Sequence, residues 1–370
     1  MRKPGLVVTH PVPRALDEHE RATHAAIART LARIQGLAYS GDYDPVRHAG
    51  APLYFVPSDT LSMGDARRLG IRSQAGLFGG VVPRSFVAGK GIVHPLVSPQ
   101  ARAPEGWSPE FAERVREVVL PGYTAFTLED ARAGALRLLD GGPVRLKPAE
   151  CLGGMGQAVV ASAAELDAAL QGFDVDGIGR SGLAVETDLA DARTFSVGQV
   201  RVGALVATYV GTQRTTRDND GNEVFGGSDL QVVRGGWDAL WEALSGLEVP
   251  GDARRAVRNV QTFDTAMEAY PGFFASRCNY DAVEGRDAAG RPRLGVLEQS
   301  WRIGGASGPE AEALAAFHAD PLLHAVRARC EELYGDSEAP EGAIVHFSGI
   351  DPKVGPLTKY TLLEEYEAAQ

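Results

Sequence analysis

Residues 144–160 read VRLKPAECLGGMGQAVV. A β-branched, apolar segment enters Lys147-Pro148, passes Gly153, Gly154, Met155 and Gly156, and returns to an apolar run. Glycine accepts backbone angles that bulkier residues refuse, so such a cluster can aim several main-chain N–H groups at one anion. Two familiar cradles are excluded by spacing. A P-loop sets its lysine after the last glycine, whereas Lys147 precedes the first. A dinucleotide fingerprint needs G-x-G-x-x-G, and Gly154-Met155-Gly156 runs on into Gln157-Ala158-Val159. Two readings stand at this point: a bulged hairpin with an exposed lysine, or a hairpin-like loop over a nucleotide. Lys147 favours the second. On an alternating strand it shares a face with Arg145, opposite Val144 and Leu146, which sets a cation beside the glycines.

Outward from this stretch the pattern is α/β. Residues 128–140 read as a helix with acids in its first turn, 158–162 as a strand, 163–173 as a helix and 182–189 as a strand. Toward the N-terminus, GLVVTH is a strand, residues 17–34 form an amphipathic helix stopped by Gly36, and PLYFVPSDTLS is a strand running into a cap. The Pro- and Gly-rich run 99–109 ends in a helix opened by Pro109, and LPGYTAFT marks a soft boundary near residue 120. Beyond residue 190, TFSVGQVRVG and ALVATYVGTQRTT read as strands turning at Gly203-Ala204, and residues 250–270 as a long helix. FFASRCNYDAV and RLGVLEQSWRI are strands joined by EGRDAAG. PLLHAVRARCEELYG is expected to be a helix, GAIVHFSGI a strand and LLEEYEAAQ a solvated helix end. This divides the chain into 1–120, 121–190 and 191–370.

The last strand pair carries the second cluster. Asp281 and Glu298 fall on neighbouring strands, and Glu298, Ser300 and Arg302 alternate onto one face. Two carboxylates side by side repel unless a cation lies between them, and Mg²⁺ takes one or two carboxylates together with nucleotide phosphate oxygens. The competing reading is a pair of surface acids on a polar sheet face.

In order and spacing these motifs resemble the ATP-grasp superfamily across roughly residues 120–310. The matching residues are Lys147-Pro148, the Gly153–Gly156 loop, Glu186 in LAVETDL, Asp281, and Glu298-x-Ser300-x-Arg302. The chain also resembles an uncharacterised bacterial ATP-grasp-like family of similar length, which brings no reaction with it. Departures are visible. Ser300 stands where the superfamily has a metal-ligating Asn, Arg193 falls where many relatives carry a second acid, and Asn279 competes with Asp281 for the first metal position. A hard cation prefers the carboxylate.

The resemblance implies an ATP-grasp architecture, an N-terminal α/β domain followed by two subdomains that clasp ATP. Lys147, the glycine loop with Met155 and Gln157, and Glu186 would hold the nucleotide, Glu186 on the ribose. Asp281, Glu298 and Ser300 would hold Mg²⁺, or Mn²⁺. Arg302, Arg277 and Arg214 would grip a substrate carboxylate. The implied reaction joins a carboxylate to an amine or thiol through an acylphosphate. The alternatives are an ATP-binding module without turnover and a small-molecule kinase on the same scaffold.

Composition narrows the remaining classes. A net charge of −11 argues against a nucleic-acid partner. No apolar run approaches the roughly 18–20 residues of a membrane span. Three dispersed cysteines and the absence of a signal-peptide pattern lead to an expectation of a cytoplasmic protein. The partners expected are small-molecule carboxylate and amine substrates, and a homo-oligomer is compatible with the sequence. Lys90 is read as an ordinary surface lysine, with a nucleotide role as the alternative, His19 and His24 as solvated histidines, and His346 as a packed strand residue. The glycine-rich 209–230 stretch is read either as a cover over the substrate or as a solvated hairpin.

Overall fold

A computed structural model of the chain describes residues 5–12, 15–149, 156–249 and 251–365. Near the N-terminus, strand Leu6–His10 runs parallel between Ala38–Asp42 and Leu53–Pro57. The first crossover is helix Glu18–Gln35. A capping box between Asp17 and Glu20 opens it, and Gly36 in the left-handed conformation (φ 64°) closes it. Its buried stripe, Ile27, Leu31 and Ile34, meets Leu314 and Phe317 of helix Ser307–Ala319 in one core.

A short sheet follows, in which Gly80–Val82 lies between Leu61–Ser62 and Phe274–Ala275. Gly80 also donates its N–H to the Trp301 carbonyl at 2.7 Å, and a Cβ there would strike the Trp301 side chain. Early and late parts of the sequence are thereby joined.

Residues 122–187 form a four-stranded antiparallel sheet in the order Gly122–Ala125, Leu183–Thr187, Val144–Pro148, Ala158–Val160. Its inner face, with Val144, Leu146, Leu183 and Val185, packs on helices Leu128–Leu139 and Ala163–Leu170. Thr127 and Ser162 cap those helices by accepting from Asp130 and Glu165 N–H groups. Alternation leaves Arg145, Lys147 and Glu186 on the opposite face. Helix Val175–Ser181, which the sequence reading lacked, connects to the last of these strands.

The remaining scaffold is an eight-stranded antiparallel sheet. Its order is Pro292–Ser300, Arg277–Arg286, Ala190–Val202, Leu205–Arg217, Glu223–Arg234, Ala325–Tyr334, Gly355–Glu365, Ile344–Asp351. Helix Ala253–Ala266 covers one face through Val257, Val260 and Phe263 against Phe195, Val197 and Tyr280. Helix Ser307–Ala319 covers the other.

Two expectations are corrected here. Residues 325–334 are a strand, not a helix, and alternate Val326, Ala328 and Cys330 inward. Gly355–Glu365 is a strand as well. Helix-forming Ala, Arg, Glu and Leu misled the reading, because pairing with Glu223–Arg234 and burial of one face outweigh local propensity.

Candidate functional site

In the large sheet, Asp281 and Glu298 are direct partners across an antiparallel pair, and Asn279 faces Ser300 one step along. The register slips immediately after Asp281. Such a bulge re-aims side chains locally. The surroundings of Asp281, and next the Glu298 charge, push its carboxyl up to about 7, against a hydrogen bond from Gln213 Nε2 to Oδ1 at 2.7 Å. On the other side, Lys90 Nζ lies 2.6 Å from Glu298 Oε2.

A second cluster lies on the four-stranded sheet. Lys147 Nζ is 2.5 Å from Glu186 Oε1, and His94 Nε2 is 3.0 Å from Glu186 Oε2. Glu186 is only 2% exposed. Burial alone would raise its pKa. The Lys147 charge, followed by the His94 hydrogen bond and charge, overrides burial and brings the carboxyl down to about 2.

One short segment joins the two clusters. Lys90 and His94 are four residues apart, so their Cα atoms are separated by at most about 14 Å. Gln299 Nε2 clamps this segment from the large sheet, donating to the carbonyls of Val87 at 3.0 Å and Gly89 at 2.8 Å. From the other side the small sheet presses on it: a Cβ on Gly89 would lie 3.0 Å from Ala149 O, and one on Gly91 2.2 Å from Ser181 O. Trp107 Nε1 donates to Gly91 O at 3.1 Å. Gly89 and Gly91 are thus the price of a lysine delivered by close-packed backbone.

A cavity of about 1390 Å³ opens over the acids, with Asp281, Glu298, Ser300, Arg302, Gln213 and Arg214 in its wall. Arg145, Gly156 and Gln157 bring the small sheet to its rim. Arg145 is itself held by Asp188 at 2.7 Å and donates to Gln157 Oε1 at 3.2 Å. The cavity continues over every strand of the large sheet as far as Lys359, Thr361 and His346.

The sequence-derived residues fall into distinct places. Ser300 and Arg302 face the cavity, and Arg302 Nη1 donates to Ile303 O at 2.9 Å. Arg214 is half-exposed and ion-paired with Glu331. Gly156 has φ 67°, the left-handed conformation a loop end needs. Gly153, Gly154 and Met155 lie outside the described residues. Lys147 and Glu186 are buried and are not among the residues of the cavity wall. Asn279 Nδ2 donates to Ser196 Oγ at 2.6 Å and Tyr209 OH at 3.0 Å. Arg193 pairs with Glu284 at 3.1 Å.

Arg277 lies apart from the other two arginines. It is fully buried, absent from the cavity wall, and paired through Nε with Glu310 Oε2 at 2.6 Å. Its Nη1 donates to the carbonyls of Ser300, at 3.2 Å, and Arg302. In this position it braces the end of the strand from within the core. Tyr209 OH completes the buried group by donating to Glu310 Oε1 at 2.5 Å.

Three expectations about other residues also change. Lys90 is 5% exposed, not a surface residue. His24 is buried and His19 partly so. The 223–234 part of the glycine-rich stretch is a strand of the large sheet, with Glu223–Phe225 at the cavity. His346 does lie on a strand, with Nε2 2.8 Å from Thr361 Oγ1. Lys90, His94, Gln213 and Glu310 were missed as site residues. The glycines flanking Lys90 were the one available signal.

Among the described residues no three His, Cys, Asp or Glu side chains converge as a metal cluster. Asp281, Glu298 and Ser300 supply oxygen donors alone, and the charges of Lys90 and of Arg277, itself paired with Glu310, reach Asp281. That donor set fits a hard ion completed by other oxygens, such as those of a phosphate.

Two solved structures share this architecture. A biotin carboxylase–β,γ-ATP complex from Campylobacter jejuni aligns over 98% of this chain and 87% of its own, with TM-score 0.53 and 12% identity. Phosphoribosylamine–glycine ligase from Thermotoga maritima aligns over 99% and 93%, with TM-score 0.51 and 17% identity. Both are ATP-grasp enzymes, and the fold of this chain is the ATP-grasp fold. No curated protein matches in sequence. The family described as "Protein of unknown function (DUF3182)" matches residues 7–361, and the chain belongs to it. No helix among the described residues is long and apolar enough to cross a membrane.

Proposed function

We propose that this DUF3182 member is an ATP-dependent ligase that joins a small-molecule carboxylate to an amine, or to a thiol, through an acylphosphate. One observation carries the reading. On an ATP-grasp fold, a buried lysine–carboxylate group and a pair of facing acids are tied together by the single segment 87–94 beside a large cavity.

In this reading Lys147 exchanges Glu186 for phosphate oxygens, and Gly153, Gly154, Met155, Gly156 and Gln157 are residues of the nucleotide site. Glu186, released from Lys147, turns to the ribose hydroxyls. Asp281, Glu298 and Ser300 would hold Mg²⁺, or Mn²⁺. When bound, such an ion draws negative charge off the β,γ-bridge. Arg302 and Arg214 hold the substrate carboxylate. A carboxylate oxygen attacks the γ-phosphorus, the bond to the β-phosphate oxygen breaks, and ADP leaves. The amine then attacks the acyl carbon, loses a proton, and phosphate departs with the carbon–oxygen electron pair. Arg277 acts only by fixing the backbone between Ser300 and Arg302.

A nucleotide-binding module without turnover is the second reading. It is favoured by Ser300 in place of Asn and by the engagement of Arg214 with Glu331. Thermal unfolding with and without Mg·ATP tests both at once. Ligand at 100 times its Kd adds about 2.7 kcal/mol to the folded state. The parent is expected to shift upward and Lys147→Ala much less. No shift in the parent at millimolar nucleotide removes both readings. ADP release that requires an added carboxylate and amine selects the ligase.

A further inference from the structure

Lys90 stands against the acid pair as a fixed positive charge. Its ammonium is 2.6 Å from Glu298, its side chain is 7% exposed, and its field also reaches Asp281. The backbone that carries it has little freedom. Gln299, the residue next to Glu298, holds Val87 and Gly89 by their carbonyls, and Gly91 is wedged against Ser181.

We infer that Lys90 is the resident counter-ion of the Asp281–Glu298 pair in the nucleotide-free protein, so that a divalent cation enters only together with a polyphosphate. The inference rests on the nucleotide-binding reading above. With both acids ionised the pair carries −2, and Lys90 reduces this to −1; Arg277, whose field also reaches Asp281, is already matched by Glu310. A dication added to that group leaves a net +1 beside a lysine almost closed to solvent, which is unfavourable. Without the lysine the same ion would produce neutrality. A polyphosphate changes the balance in two ways. It brings negative charge to the ion, and it offers the ammonium new oxygen partners when Glu298 turns to the metal. The acids alone are therefore half a site, closed by a side chain from a different part of the sequence.

The test is Mn²⁺ binding to the full chain, followed by electron paramagnetic resonance without nucleotide. Lys90→Met and Lys90→Gln are expected to take Mn²⁺ at least about tenfold more tightly than the parent, and Lys90→Arg to resemble the parent. Adding ADP should tighten Mn²⁺ binding to the parent by tenfold or more, and to Lys90→Met by less. Equal Mn²⁺ affinity in the parent and the neutral variants overturns the inference. If both neutral variants unfold, the parent decides alone: tight nucleotide-free Mn²⁺ binding overturns it, and binding that appears only with ADP supports it. Failure of the parent to bind nucleotide removes the ligase reading instead, and leaves the nucleotide-free comparison to decide the role of Lys90.

Discussion

Lys147 Nζ and Glu186 Oε1 stand 2.5 Å apart on adjacent strands of the small sheet, both nearly closed to solvent. An isolated buried lysine or carboxylate would be costly, and each makes the other tolerable. The pair is thus a store of mutual stabilisation that any anion drawing Lys147 away would have to match.

The pH dependence of this pair follows from its sign. Glu186 titrates near 2 in the folded chain and near 4.5 when unfolded. Its ionisation therefore stabilises the fold above about pH 4.5, and the contribution is lost as pH falls from there toward 2. Glu186→Gln should cost on the order of 3 kcal/mol at pH 7. The difference from the parent should shrink as pH drops below 4.5. Urea midpoints at pH 7, 4.5 and 3 measure this; a constant difference would refute it.

Gly91→Ala should destabilise by about 1–3 kcal/mol, because its Cβ would meet a main-chain oxygen that cannot swing aside. Gly179→Ala is the control. No atom lies within 4 Å of its added Cβ, and it sits inside helix Val175–Ser181. It should be neutral or stabilising by up to about 1 kcal/mol. Thermal unfolding of the two variants checks the contrast.

Removal of one partner from the Arg277–Glu310 pair should be far worse than removal of both. Glu310→Ala leaves a buried guanidinium unpaired and is expected to cost about 3–5 kcal/mol. Arg277→Met combined with Glu310→Leu should cost less than the two single changes added together. A double-mutant cycle in urea reports the coupling, and simple additivity would contradict a brace of this kind.

Arg214 offers a separation of function from stability. Its ion pair with Glu331 is half-exposed, so Arg214→Met should change stability by less than about 1 kcal/mol. If the residue grips the carboxylate, carboxylate-dependent ADP release falls by roughly tenfold or more, while the Mg·ATP thermal shift stays. Unchanged ADP release would take Arg214 out of the site.

Much of this arrangement was legible locally. Period-two alternation set Lys147 opposite Val144 and Leu146, and the short loop 287–291 placed Asp281 beside Glu298, because both relations lie within a few residues or one hairpin. Lys90 was not legible. Its partner is 208 positions away, and a lysine between two glycines reads as a surface turn until Ser181 and Ala149 are seen pressing on those glycines. The burial of Arg277 was hidden for a related reason. The Arg-to-Asp interval is local, but the acid that claims the guanidinium comes from helix Ser307–Ala319. Strands Ala325–Tyr334 and Gly355–Glu365 were lost because their partners, not their residues, decide their conformation.

The pairing of Gly80–Val82 with Phe274–Ala275 has a bearing on biogenesis. At roughly 5–20 residues per second, a ribosome needs on the order of ten to forty seconds to make the intervening chain. Throughout that interval the nascent N-terminal portion presents an unmatched strand border. Holding chaperones, or a pause in translation, would find their natural point of action there, well before the first molecule of any ligand can be bound.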